Sequence, residues 1–151
     1  MAAALQPSLR ARALRLLARR EHSRQELRRK LSAHAGPGED VDALLDELAG
    51  RGWLSDARFA EAAARAKARR FGPAKVRQFL QSRGVDEEAI AAGLARAGAD
   101  GEASLEGVWK GHYRAAPGDD REKARQVRFL QGRGFHLEEI LRFLREMERT
   151  P

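Results

Sequence analysis

The sequence predicts an all-α protein built from tandem three-helix repeats. Three features of the 151 residues carry this: apolar residues recur at helical spacing, start and stop signals cut them into short helices, and one heptapeptide returns after 50 residues. No run of β-branched residues alternates with polar ones, so nothing reads as a strand.

The elements follow in order. Ser23 with Glu26 forms a capping box that starts a helix. Val41, Leu44, Leu45 and Leu48 fall at i, i+3, i+4, i+7, the apolar face of another. Phe59, Ala63 and Ala66 make a weaker face. Gly72-Pro73 closes that helix and puts proline at the first position of the next, where its missing N–H costs nothing. Val76, Phe79 and Leu80 then turn inward, followed by Ile90 and Leu94 on a later helix. Asp119 and Glu122 repeat the capping logic, and Leu137, Ile140, Leu141, Leu144 and Met147 form the strongest apolar face. Arg51-Gly52, Arg83-Gly84 and Arg133-Gly134 each place a cation at a helix C-terminus before a residue that accepts positive φ. About nine helices of roughly 9–15 residues result.

The repeat is explicit. Phe79-Leu80-Gln81-Ser82-Arg83-Gly84-Val85 matches Phe129-Leu130-Gln131-Gly132-Arg133-Gly134-Phe135, and Glu88, Ile90 and Leu94 pair in phase with Glu138, Ile140 and Leu144. Leu27 and Leu31 begin a diverged copy that continues at Leu44 and Leu48 after the Gly36-Pro37-Gly38 insertion. The expected division is a tail at 1–8 and repeats at 9–54, 55–97 and 98–151. With 42% hydrophobic residues but only 6% aromatics, alanine supplies much of the core. Such thin cores suit neighbour-on-neighbour stacking.

Charge follows the repeat. Of 29 Lys/Arg and 22 Asp/Glu, residues 1–35 hold nine and two, 36–56 one and six, 57–83 eight and one, 84–109 one and six. Residues 110–135 hold seven and three, and 136–151 three and four. The net +7 is thus an alternation in which the first two helices of a copy are basic and the third is acidic or nearly neutral. One reading is structural: acidic helices lie against basic neighbours. The other is functional: stacked copies align their cations into an electrostatic footprint for phosphates or an acidic protein groove.

The candidate contacts are Arg24, Arg28, Arg29 and Lys30 in copy one, Lys67, Arg69, Arg70, Lys75 and Arg77 in copy two, and Lys123, Arg125 and Arg128 in copy three. Zero cysteine excludes disulfides, thiolate metal sites and cysteine nucleophiles. His22, His34, His112 and His136 are scattered without metal-ligand spacing, and His22 and His136 read as surface residues before helix starts. Gly36-Pro37-Gly38-Glu39 lacks a Walker ending, and no serine sits in a GxSxG elbow. Glu87-Glu88 and Glu138-Glu139 sit in first turns, where the helix dipole accounts for them. No enzyme, cofactor or metal is expected. Trp53 is expected between copies one and two, and Trp109 and Tyr113 in the core of copy three; base stacking is the alternative role for either tryptophan. No stretch approaches the roughly 20 apolar residues of a membrane span and no signal core follows Met1. A soluble, cytoplasmic monomer is expected.

Four motifs now resemble, in order, those of the RecX recombination regulators. They are Ala13 to Leu31, including Glu21-His22-Ser23-Arg24-Gln25-Glu26-Leu27; Gly52-Trp53-Leu54-Ser55-Asp56-Ala57-Arg58-Phe59-Ala60; Phe71-Gly72-Pro73-Ala74-Lys75-Val76-Arg77 with Arg83-Gly84-Val85; and Arg128 to Phe135 with Ile140. Trp53, Ser55 and Phe79 depart from the pattern, where leucine, aspartate and glutamate are usual. The resemblance implies three tandem three-helix repeats in an elongated, curved helical stack. It also implies binding to the RecA–single-stranded-DNA filament along its groove, with inhibition of ATP hydrolysis, strand exchange and co-protease activity in DNA recombination and repair. Two other classes stay open: a protein that binds single- or double-stranded DNA directly through its basic faces, and a helical scaffold whose charge serves solubility.

Overall fold

The computed structural model of the chain describes residues 5–99 and 102–150, the side chains of Glu102 and Ala103 excepted. Nine helices and no strand occur among the described residues: α1 (Leu9–Arg19), α2 (Arg24–Ser32), α3 (Val41–Gly50), α4 (Asp56–Lys67), α5 (Pro73–Ser82), α6 (Glu87–Ala97), α7 (Glu102–His112), α8 (Asp120–Gly132) and α9 (Leu137–Arg149). The start of the third repeat at 98–101 falls partly outside the described residues.

Local chemistry sets the helix ends. Ser23 Oγ accepts from the Glu26 N–H while the Glu26 carboxylate takes the Ser23 N–H, so the capping box is complete. Ser8, Asp40, Ser55, Asp86 and Asp119 cap other helices with a side-chain oxygen. Asp119 receives the Glu122 N–H at 2.8 Å, but the Glu122 carboxylate reaches back to the Gly118 N–H. At the other end α3, α5 and α8 finish alike. Gly52, Gly84 and Gly134 have φ of +77°, +78° and +101°, and the next N–H returns to Leu48, Leu80 or Leu130. This is a Schellman closure made three times.

Each repeat closes its own core. Leu9, Ala13, Leu27, Leu31, Leu45, Leu48 and Leu54 form the first. Phe59, Ala60, Ala64, Val76, Leu80, Ile90 and Leu94 lead the second, and Leu105, Trp109, Leu130, Phe135, Ile140, Phe143 and Leu144 the third. A buried leucine contributes roughly 1.5–3 kcal/mol, so each core is a modest, self-contained source of stability. The extensively packed helix pairs all lie within one repeat. The surface is 9847 Å², against about 7,600 Å² for a compact monomer of this mass. The repeats therefore stack as an elongated array.

Several sequence expectations change. His22 is 1% exposed and sits in the interior of repeat one, not on the surface. Trp53 is 41% exposed, with Arg51 5.2 Å and Arg10 5.9 Å from its ring, and does not pack between repeats. Leu137 is 45% exposed; Phe143 takes its place in the buried face of α9. On α4 the buried face is Phe59, Ala60 and Ala64, and Ala66 is exposed. Trp109 and Tyr113 do join the third core.

Candidate partner-binding surface

The second helices of successive repeats are joined end to end. At the first joint the C-terminal loop of α5 meets the start of α2: Ser23 Oγ donates to the Arg83 carbonyl at 2.8 Å, and Arg83 Nε lies 3.3 Å from the Glu26 carboxylate. A Cβ on Gly84 would lie 2.2 Å from Gln25 Oε1, so the backbone itself approaches α2. At the second joint the C-terminal loop of α8 meets the start of α5. The Gly72 N–H donates to the Arg133 carbonyl at 2.7 Å and the Ala74 N–H to the Gly134 carbonyl at 3.3 Å. Arg133 also donates to the Arg70 carbonyl at 3.2 Å. Equivalent parts thus meet twice, and the repeats are held in a fixed relation.

Aromatic rings continue the connection. Phe79 carries Lys67 at 4.1 Å and Arg83 at 4.6 Å. Arg133 lies 5.5 Å from Phe71 and 5.0 Å from Phe129, whose ring stacks on His112 at 4.1 Å. Cation–π contacts of this kind contribute about 0.5–2 kcal/mol each.

The candidate cations separate into two groups. Arg24 pairs with Asp46 at 2.6 Å, Arg28 with Asp42 at 2.8 Å, and Arg77 with Glu87. In each case a basic second helix is neutralised by the acidic third helix of its own repeat, so the structural reading of the charge alternation holds for these three. Lys67 is engaged with Phe79 and Phe71, and Lys30 Nζ lies 3.0 Å from His22 Nε2. Arg29, Arg69, Arg70, Lys75, Lys123, Arg125 and Arg128 make no side-chain ion pair among the described residues, and all but the half-buried Lys123 are exposed. Unneutralised charge therefore persists in every repeat.

A further basic groove lies between α1 and α2 and was not singled out from the sequence. Arg12, Arg15, Arg19, Lys30 and His34 surround about 340 Å³ over a floor of Leu16 and Leu31, with no carboxylate in the lining. Its signal was the i, i+3, i+7 spacing of Arg12, Arg15 and Arg19, which puts all three on one side of α1.

His22 explains part of the local order. Its Nδ1–H donates to the Arg20 carbonyl at 3.1 Å, which leaves Nε2 to accept from Lys30. Burial, reinforced by the Arg20 and Lys30 charges, holds its pKa below the ordinary 6.5 despite the carbonyl bond and Glu26. Burial pushes Glu26 the other way, but the Arg20 guanidinium and the Ser23 N–H outweigh it and hold that carboxyl below its ordinary value.

No group of three His, Cys, Asp or Glu able to hold a metal occurs among the described residues, and no described helix is long and apolar enough to cross a membrane. What the geometry offers is a string of three helical units with recurrent basic surface. The family models for the first, second and third three-helix domains of RecX match residues 10–48, 55–94 and 100–144.

The chain belongs to the RecX family.

It is 46% identical over 136 residues to Regulatory protein RecX of Ralstonia nicotianae, covering 89% of this chain and 86% of that protein. It is 41% identical over 146 residues to the protein of the same name from Herminiimonas arsenicoxydans, covering 97% of each. The crystal structure of RecX from Lactobacillus salivarius is similar in fold, with a TM-score of 0.71 at 17% identity over 93% of this chain and 95% of that one. The family is one of regulatory proteins, and each matched domain contains most of one core.

Proposed function

We propose that the chain binds the RecA–single-stranded-DNA filament as a cytoplasmic monomer and inhibits its ATPase, strand-exchange and co-protease activities, modulating DNA recombination and repair. The supporting observation is that unneutralised cations recur in all three repeats while the two joints hold those repeats in fixed relation. Arg29, Arg69, Arg70, Lys75, Lys123, Arg125 and Arg128 are the proposed contacts, with Lys30 and Lys67 beside them. Arg24, Arg28 and Arg77 serve this surface less directly, because acidic neighbours already hold them.

A filament presents identical subunits at regular spacing. Once one repeat is bound, the others meet their sites at high effective concentration, so weak contacts combine into a strong one. The basic field speeds approach to a polyanionic complex. Repeats bounded near 9–54, 55–97 and 98–151 are the binding units. ATP turnover belongs to the recombinase; this chain supplies no catalytic group.

The test is recombinase ATPase on single-stranded DNA. Inhibition at protein well below the amount that coats the DNA is expected, and reversing Lys75, Arg125 and Arg128 to glutamate weakens it without changing the helical circular dichroism. ATPase that persists with one chain per recombinase subunit contradicts the proposal. The second reading, direct binding of nucleic acid, is favoured by the carboxylate-free groove between α1 and α2. It predicts recombinase-independent binding to naked single-stranded DNA with a steep salt slope that Arg15→Glu with Arg19→Glu reduces.

A further inference from the structure

An apolar groove runs along α4 beside α5. Phe59, Phe71 and Phe79 supply its aromatic wall, Ala62, Ala63 and Ala66 its floor, and Arg20, Lys67 and Arg70 its rim, around about 610 Å³. A second hollow of about 620 Å³ adjoins it, shares Ala62 and Ala66, and adds Arg58, Arg65 and Arg69 to the rim. Together the linings hold six cations and only two carboxylates, Glu21 and Glu61. Both carboxylates are already paired, with Arg58 at 3.0 Å and Arg65 at 2.8 Å. Arg69 and Arg70 make no such pair among the described residues, and they leave a positive field over an apolar floor.

The chemistry selects an occupant. Phe79 already carries Lys67 and Arg83 against its ring, and Phe71 carries Lys67 and Arg133. A nucleic-acid base would have to displace those cations to stack. Nor is there a strand edge among the described residues on which an extended peptide could add. Of the recurring recognition modes, a helix laid into a groove between helices matches the alanine floor, and recognition of acidic segments by Arg clusters matches the rim. The alanine floor permits close approach, as the buried side of α4 demonstrates: a Cβ on Gly93 of α6 would lie 2.9 Å from Ala60.

We propose that this groove docks an acidic amphipathic helix of the protein partner, its apolar side chains over Ala62 and Ala66 and its carboxylates toward Arg69 and Arg70. This rests on the reading that the chain acts on a protein filament, and it names the chemistry of the segment that filament presents. The groove is distinct from the carboxylate-free groove of repeat one, which suits phosphates.

The absence of cysteine makes the test clean. Ala62→Cys, exposed on α4, is labelled with a benzophenone maleimide, mixed with recombinase–single-stranded-DNA filaments and irradiated; Ala91→Cys, exposed on α6, is the control. The expected adduct lies in a recombinase helix rich in Asp and Glu, at a yield at least tenfold above the control. Adducts on DNA or on a basic segment, or equal yields at both positions, overturn the inference. In a second arm, Ala66→Trp fills the groove from an exposed position and Arg70→Glu reverses its rim. Each lowers filament affinity at least tenfold with an unchanged melting temperature, and unchanged affinity overturns the inference. Unmodified chain that fails to bind the filament overturns the reading of function itself, and this inference with it.

Discussion

The two joints of the stack solve one problem with different materials. In the first, side chains bond across repeats: Ser23 to the Arg83 carbonyl, Glu26 to Arg83, and Arg58 to Glu21. In the second, backbone groups bond directly, through the Gly72 and Ala74 N–H groups and the Arg133 and Gly134 carbonyls. The first joint is thus open to pH, salt and single side-chain changes. The second depends less on them, although Arg133 also bonds the Arg70 carbonyl, and neither joint has room for an added carbon at its glycine, Gly84 or Gly134. A joint's geometry can be kept while its sensitivities are exchanged.

The largest effect is expected where the second joint admits no atom. Gly134 has φ of +101°, and a Cβ there would lie 2.8 Å from the Lys75 nitrogen. Gly134→Ala should cost about 2–4 kcal/mol, read from the urea midpoint, because strain and overlap add. At the first joint Ser23→Ala removes the cap and the bond to Arg83, and should cost about 1–2 kcal/mol in the same assay. If the two losses are equal, the contrast between the joints is wrong.

The next effect is read by pH within repeat one. His22 has a lowered folded pKa, so below about 6.5 the unfolded chain binds the proton first and unfolding is favoured. Its contribution is intact above 6.5 and is lost as pH falls from there through the folded value. Glu26 behaves the same way below its ordinary 4.5, since its folded pKa is also lowered. Melting temperature should therefore drop between pH 7.5 and 5.5, and His22→Gln should flatten that drop. An undiminished slope in the variant would place the titration elsewhere. The smallest effect belongs to the exposed Arg24–Asp46 pair: Asp46→Asn should shift stability by no more than about 1 kcal/mol, measured by the same melts.

Local features were legible in the sequence, and distant contacts were not. The Ser23–Glu26 box, the Gly72-Pro73 boundary and the Arg-Gly helix ends read directly, because their partners lie within a few residues. The offset of 50 between Phe79 and Phe129 gave the repeat by direct comparison of matching segments, which needs no contact between them. What the sequence did not show is that Ser23 has a second role 60 residues away at Arg83, or that Gly134 lies against Lys75. His22 looked like a surface residue until Lys30, one helix face away, closed over it. Gln126 fills the slot that Val76 fills in repeat two; it accepts from Trp109 Nε1 at 2.8 Å and donates to the Ala115 carbonyl, so a polar residue is stable in an apolar place. Of the candidate contacts, Arg24, Arg28 and Arg77 could be separated from Arg29, Lys75 and Arg125 only once the acidic third helices were placed against them.

The central claim is that three repeats act on the filament as one rigid unit. The most direct measurement is the dissociation rate from recombinase–single-stranded-DNA filaments for the unmodified chain and for Gly134→Ala, compared at a temperature where both are folded by circular dichroism. Faster release by at least tenfold is predicted when the second joint is loosened, since repeat three no longer rebinds in step with the others. Equal dissociation rates would contradict it.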